Sequence, residues 1–459
     1  MNLSLQDQLE EMRRFFTGGA THSYTFRKQQ LQKLKNSILK YEKELHAALY
    51  TDLKKSEEEC WVTETGFLIT EINHTLKQLK GWMKRERVGT NLLNFPSRSY
   101  IYKEPLGVVL IIGPWNYPLQ LLFAPLVGAI AAGNCTVLKA SEFAPATAAV
   151  MEQLITETFH RNYILFVQGE GQEVIPPMMD QFRFDHVFYT GSTAVGKIIY
   201  QMAAKQLVPV TLELGGKSPC VIEGDANIKV AAKRVAVTKF SNAGQMCVAP
   251  DYVLVHRSIK QAFIEALKQT LHDFYSAEPS TSGSYGKIIN KKQFDRLVGH
   301  IQQGEIAFGG RYDADQLFIA PTIIEDTSAD TALMKEEIFG PLLPVIPFDS
   351  FDEARAIIDR NSSPLAFYVF TESREKAMQW INAVPFGGGC INNASWHFTN
   401  PNLPFGGRGN SGIGAYHGKF SFDTFSHKKA VMKTPTWFDP SVKYPPFKGK
   451  LNLFKKVIR

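Results

Sequence analysis

The chain has 459 residues, too many for one compact core, so two or three domains are expected. Hydrophobic residues make up 44% and charged residues 21%, a balance that excludes an intrinsically disordered chain. The net charge of +7 is mild for this length and is not gathered into a stripe, so no nucleic-acid partner is expected.

The N-terminus, Met1 to Asp7, is polar and lacks the apolar core of a secretory signal. Residues 1–85 read as helical. Leu31, Leu34, Ile38, Leu45 and Leu49 suggest one amphipathic stripe; Trp61, Thr65, Leu68, Ile72, Leu76, Leu79 and Met83 form another at three- and four-residue spacing. No charge occurs from Pro105 to Leu138, yet Gly and Pro punctuate the stretch. Its best helical window, Leu119 to Ala132, is shorter than the ~20 residues a spanning helix needs, so no membrane span is expected. After Arg98, apolar runs at Val108–Ile112, Thr136–Leu138, Leu165–Val167, Val187–Tyr189 and Val210–Leu214 alternate with helix-like stretches near Leu119–Ala132, Thr147–Phe159 and Thr193–Ala203. Strands without polar alternation, separated by helices, predict a parallel sheet covered on both faces. The pattern restarts after Gly216 with Cys220–Ile222, a helix over Ile228–Phe240, Val253–Val255 and a helix over Ile259–Phe274, which suggests a second α/β domain. The segment from Ala277 to Gly286 reads as a surface loop, and the basic tail, with Lys448, Lys450, Lys455, Lys456 and Arg459, as a solvated one. The five cysteines are widely spaced without a CxxC pair and the eleven histidines lack ligand spacing, so neither a disulfide framework nor a metal site is expected. A reducing cytoplasm is the default compartment.

Four segments carry candidate chemistry. Cys247 follows Gly244-Gln245-Met246, where a thiol at a turn can reach a cleft, although a single cysteine is more often a small buried hydrophobe. Glu213 ends an apolar strand between Leu212 and Leu214. Burial there would raise its pKa toward that of a general base; the plainer alternative is pairing with Lys217. Asn116, in Gly113-Pro114-Trp115-Asn116-Tyr117-Pro118, follows a parallel strand where ligand crevices form, and its amide suits a developing oxyanion, though Asn in such turns is also ordinary. Tyr189-Thr190-Gly191-Ser192-Thr193-Ala194-Val195-Gly196-Lys197 is strand, turn and helix start, with amides suited to a pyrophosphate. Its spacing is not GxGxxG, so alone it is a weak fingerprint.

Taken in order, GPWNYP, LKASE, FYTGSTAVGK, LELGGKSP, FSNAGQMCVAP, EEIFGPLLPV and LPFGGRGNSGIGAYHGKFSFDTFSH resemble the motifs of aldehyde dehydrogenases across residues 5 to 445. The AYHGK segment and the Tyr444-Pro445-Pro446 tail look most like the class-three branch, whose members oxidise fatty and aromatic aldehydes. The resemblance implies oxidation of an aldehyde to a carboxylic acid through a cysteine thiohemiacetal and thioester. In it Cys247 matches the nucleophile, Asn116 and the Cys247 amide the oxyanion hole, and Glu213 the base that activates hydrolytic water. Lys139 and Glu142 match the adenosine-ribose contacts. Thr190, Gly191, Ser192, Val195 and Gly196 match the pyrophosphate turn, with Trp115 nearby; Glu337 and Phe339 match the nicotinamide-ribose side. The cofactor implied is NAD, with NADP accepted as an alternative, since Glu142 would repel a 2′-phosphate. Two departures stand out: Ala140 replaces the usual proline after the lysine, and Arg408 and Asn410 occupy positions that are often small or apolar. A class that passes the thioester to coenzyme A generally lacks the Glu213 carboxylate, and a structural protein on this fold would have lost Cys247 or Glu213.

The fold implied is α/β: a Rossmann-like NAD(P)-binding domain (1–85 and 104–213), an α/β catalytic domain (214–396), and a small β bridging segment (86–103 and 397–445) that pairs subunits into a homodimer, followed by the tail 446–459. In the family the last segment forms strands, and Phe420-Ser421-Phe422-Asp423-Thr424-Phe425 alternates aromatic and polar residues as a half-exposed strand should.

Overall fold

Ser4 accepts the Asp7 amide in a capping box and starts the helix Leu5–Thr17; Ser23 accepts the Phe26 amide and starts Tyr24–Lys40. The computed structural model describes residues 4–328 and 330–457. The stripe from Leu31 to Leu49 is two helices rather than one, Tyr24–Lys40 and Glu42–Leu53, broken at Tyr41 but with all five leucines and isoleucines of the stripe buried. The second stripe is also corrected at its start. A π-helical turn, Trp61–Thr65, precedes the helix Gly66–Trp82; its wider winding breaks the 3.6-residue phase and leaves Trp61 42% exposed, while Leu68, Ile72 and Leu79 stay buried.

The uncharged stretch after Pro105 becomes the centre of a six-stranded sheet. In spatial order its strands are Gly412–Ile413, Val210–Glu213, His186–Thr190, Val108–Ile112, Cys135–Lys139 and Ile164–Val167. All are parallel except the two-residue edge Gly412–Ile413. Val108–Ile112 and Cys135–Lys139 are buried at every residue, which explains why neither alternates. Pro118–Ala132 is buried on all faces too, starts with Pro at its first turn and ends at Gly133 in the left-handed region. Among the described residues no helix is long and apolar enough to cross a membrane.

A second, seven-stranded sheet follows, in the order Glu305–Phe308, Thr322–Glu325, Leu342–Phe348, Tyr252–His256, Pro219–Ile222, Ala366–Phe370 and Gly388–Ile391, with only the first strand antiparallel to its neighbour. One continuous apolar core joins residues from both large sheets and the N-terminal helices. A third sheet pairs Glu86–Val88, Arg98–Pro105 and Ser426–Lys433.

The strand expected at Phe420–Phe425 is instead part of the helix Gly418–Thr424. Ser421, Phe422, Phe425 and Ser426 are the buried positions, a helical repeat. This helix crosses Pro118–Ala132 at Gly128, where an added Cβ would come within 2.5 Å of Ser421 Cβ. The strand begins only at Ser426, whose partner is Pro105.

Candidate active site

Strand order reverses around Val108–Ile112, which has Cys135–Lys139 on one side and His186–Thr190 on the other. That reversal opens a crevice at the strands' carboxyl ends. The Gly113–Pro118 loop and the Gly191–Gly196 turn both leave from it. Asn116 is buried; its Nδ2 donates to Gln245 O at 3.0 Å, and its carbonyl accepts from Asn242 Nδ2 at 2.8 Å and Lys55 Nζ at 3.0 Å. An amide has two N–H bonds, and the Gln245 contact uses one.

Cys247 follows a short 3₁₀ turn, Ser241–Gly244, in which Asn242 and Ala243 take φ of 48° and 49°. Gln245 pins this turn: its side chain donates to Asn242 O and Lys287 O and accepts the Ile289 amide. Cys60, Cys135 and Cys220 are fully buried, whereas Cys247 and Cys390 are half-buried. Burial pushes the Cys247 thiol up to about 12, with the nearby Glu337 and Glu213 carboxyls adding to the shift.

Glu213 ends its strand with its backbone engaged: its carbonyl accepts the Gly191 amide, and it stands opposite Gly412. Its side chain is 3% exposed, and neither carboxyl oxygen has a hydrogen-bond partner. Burial alone raises its pKa well above the ordinary value. The pairing with Lys217 does not form. Lys217 instead bonds Asp251 and the Leu333 carbonyl, leaving Glu213 without a counter-ion. Glu337 is raised by burial, and further by Asp251, to about 8. The backbone at Gly215 leaves room for it, since a Cβ there would overlap the Glu337 carboxyl.

On the other side of the crevice, Lys139 is buried and donates to Glu142 Oε2 at 3.1 Å, while Glu142 Oε1 accepts the Gly171 amide. Burial would raise Glu142, but its own amide, the Gly171 amide and Lys139 together hold it below the ordinary value. Ser192 caps the helix Thr193–Lys205 by accepting the Val195 amide. Thr190 Oγ1 is buried without a partner, and Val195 is 41% exposed at the helix start. Trp115 and Phe339 meet edge-to-face with centroids 5.2 Å apart, so two segments more than two hundred residues apart in sequence share one wall. The orphaned Thr190 hydroxyl, the Lys139–Glu142 pair and the exposed start of the helix Thr193–Lys205 fit a dinucleotide with phosphate and hydroxyl groups.

Cys247 also opens on an apolar cavity of about 60 Å³, whose wall includes Tyr117, Leu121, Val248, Phe405, Tyr416 and His417. A wider vestibule of about 380 Å³ shares Thr63, Tyr117, Met246 and Phe398 with it and reaches the surface beside Trp61, Val62 and Trp396. Sequence reasoning missed this wall, because its residues come from separate segments with no common spacing. It also missed the ion pair beneath Asn116, where Lys55 Nζ lies 2.7 Å from Glu64 Oε1 with both side chains wholly buried.

Two sheets, a crevice at the switch point and a thiol within the field of an orphaned carboxyl are an arrangement that suits an α/β oxidoreductase of the dehydrogenase type. The sequence profile of the aldehyde dehydrogenase family matches residues 5–431. The 4,4'-diaponeurosporen-aldehyde dehydrogenase of Staphylococcus aureus is 47% identical over 100% of both chains. A rat aldehyde dehydrogenase described as dimeric and NADP-preferring is 43% identical over 98% of this chain and 99% of its own. The substrate-bound structure of Staphylococcus aureus AldH superposes with a TM-score of 0.97 at 46% identity over 100% of both chains. Other relatives carry the name aldehyde dehydrogenase family 3, in line with the class-three resemblance. The chain belongs to the aldehyde dehydrogenase family and is an enzyme that oxidises aldehydes to acids with NAD(P).

Proposed function

We propose that this enzyme oxidises apolar aldehydes through a thioester on Cys247 that Glu213-activated water hydrolyses. The observation that carries the reading is a half-buried thiol that opens on an apolar cavity, with the Asn116 amide tied to Gln245 O two residues before it and the unpartnered Glu213 carboxyl near enough to raise its pKa. Once the Cys247 thiol has given its proton to water, the thiolate attacks the aldehyde carbon, and the Asn116 amide with the Cys247 N–H takes up the charge on oxygen. When bound, NAD(P) supplies the hydride acceptor. Lys139 and Glu142 would hold its adenosine ribose, Thr190, Gly191, Ser192, Val195 and Gly196 its pyrophosphate, and Trp115, Glu337 and Phe339 its nicotinamide side. Loss of hydride leaves a thioester on Cys247. Glu213 then takes a proton from water as the water oxygen bonds to the acyl carbon, releasing acid and restoring the cysteine.

The two-stage cavity supports medium or long aliphatic, or aromatic, aldehydes: its inner end is narrow and its mouth is rimmed by exposed apolar side chains. The six-, seven- and three-stranded sheets support a division into cofactor (1–85, 104–213), catalytic (214–396) and bridging (86–103, 397–445) parts. Five free thiols fit a reducing, cytoplasmic setting.

Cys247→Ser tests the nucleophile. Turnover should fall to background with cofactor binding intact, because a serine alkoxide is far scarcer than a thiolate. More than a tenth of wild-type turnover would remove Cys247 from that role. Assaying the wild type with both cofactors tests Glu142. Its carboxylate, held below the ordinary range, accepts from a 2′-hydroxyl and repels a 2′-phosphate, so kcat/KM should favour NAD. A clear preference for NADP, as the rat relative's name describes for that protein, would show that Glu142 does not govern the choice.

A further inference from the structure

The short segment Lys55–Glu64 lies outside every motif, yet it touches both halves of the reacting centre. Lys55 Nζ donates to Glu64 Oε1 at 2.7 Å and to the Asn116 carbonyl at 3.0 Å, and stands 3.8 Å over the Tyr117 ring. Glu64 Oε2 accepts the Gln120 amide at 2.8 Å. That amide belongs to the first turn of Pro118–Ala132, a helix with no side-chain cap of its own. The pair therefore grips the chain on both sides of Tyr117, once at the Asn116 carbonyl and once at the helix start. From the same segment, Glu59 Oε1 accepts the Asn242 amide at 2.9 Å, in the left-handed turn ahead of Cys247. Asn242 closes the circuit by donating its own side-chain amide to the Asn116 carbonyl.

A buried ion pair is rarely explained by stability, because the desolvation of two charges offsets most of their attraction. Its directional hydrogen bonds are better suited to fixing a geometry. Here the geometry is that of Asn116. With its carbonyl held by Lys55 and Asn242 and its Nδ2 tied to Gln245 O, the amide has little freedom to turn away from the cysteine loop. We propose that Lys55, with Glu64 as its counter-ion, is a positioning residue that sets the Asn116 amide against Cys247. This inference rests on the reading of Asn116 as oxyanion donor.

The experiment measures kcat, aldehyde KM, NAD affinity by quenching of intrinsic fluorescence, and near-UV circular dichroism on the full chain, with a medium-chain aliphatic aldehyde. Asn116→Ala alone tests the underlying reading; removal of an oxyanion donor lowers kcat by ~10²–10³-fold, and an unchanged kcat would refute that reading by itself. Lys55→Met should lower kcat by ~10-fold or more, the order expected when a donor is displaced without being removed, with NAD affinity within about twofold of wild type. Adding Lys55→Met to Asn116→Ala should lower kcat no further, because Lys55 would act only through the amide already absent. Lys55→Met/Glu64→Gln, which removes both charges of the pair together, should remain impaired. If these variants fold poorly, Glu64→Asp keeps the charge and shortens its reach, and a lower kcat at unchanged NAD affinity supports the brace. Wild-type kcat in a folded Lys55 or Glu64 variant, or losses that multiply with Asn116→Ala, would overturn it while leaving the Asn116 reading intact.

Discussion

Glu213 is held in the protein with neither carboxyl oxygen bonded, an arrangement that costs stability and has no structural return. Its folded pKa lies above its ordinary value of 4.5. The unfolded chain therefore releases this proton first as pH rises, and the folded state is progressively penalised above about that value. Glu213→Gln removes the titration. Its Tm relative to wild type should be higher at pH 8 than at pH 5, by roughly 1 °C for each kcal/mol of relief in a chain of this length, while activity is lost. A Tm difference that stays constant between those pH values would show that burial does not raise the proton affinity of Glu213. At this scale the sequence was informative about residue type: it singles out the strand-end carboxylate, the post-glycine cysteine and the loop asparagine. It was silent on partners. Nothing in the spacing tells that Lys217 turns to Asp251, or that Lys55 reaches the Asn116 carbonyl across sixty-one residues.

Elements were legible where burial is uniform. Val108–Ile112, His186–Thr190 and the helix Pro118–Ala132 are buried throughout and almost wholly apolar because both faces are covered, and their type follows from length and flanking turns. Phe420–Phe425 was misread because an aromatic at every second or third position satisfies a two-residue repeat and a helical one alike. What decides is the neighbour: Ser421 fits against Gly128, and Phe425 packs on Phe188 and His186, contacts that a strand here would not make together. The π-helical turn at Trp61–Thr65 was invisible for a related reason, since a local insertion leaves the spacing on either side of it intact.

The third sheet has a bearing on the molecule as a whole. Among the described residues its outer strand, Ser426–Lys433, is bonded to Arg98–Pro105 on one side only, and all but its first residue are exposed, Val431 and Met432 among them. An eight-residue open edge with apolar side chains is a pairing surface that a lone subunit leaves unsatisfied. A homodimer that pairs through this edge is therefore the expected assembly, and the name of the rat relative describes that protein as dimeric. Sedimentation at micromolar concentration should show a dimer, and Val431→Lys with Met432→Lys should shift it toward monomer. A wild type that sediments only as monomer would contradict the dimer.

The central claim, a thioester on Cys247 cleared by Glu213-activated water, is tested most directly in the burst phase of Glu213→Gln. Rapid mixing with NAD and a good aldehyde should release about one NADH per active site, followed by a steady rate lower by ~10²–10⁴-fold, the range a positioned general base contributes. Intact mass at the plateau should rise by one acyl group, and the gain should vanish in Cys247→Ser. A mutant that turns over at the wild-type steady rate, or one whose NADH burst leaves no acyl group on Cys247, would contradict the account.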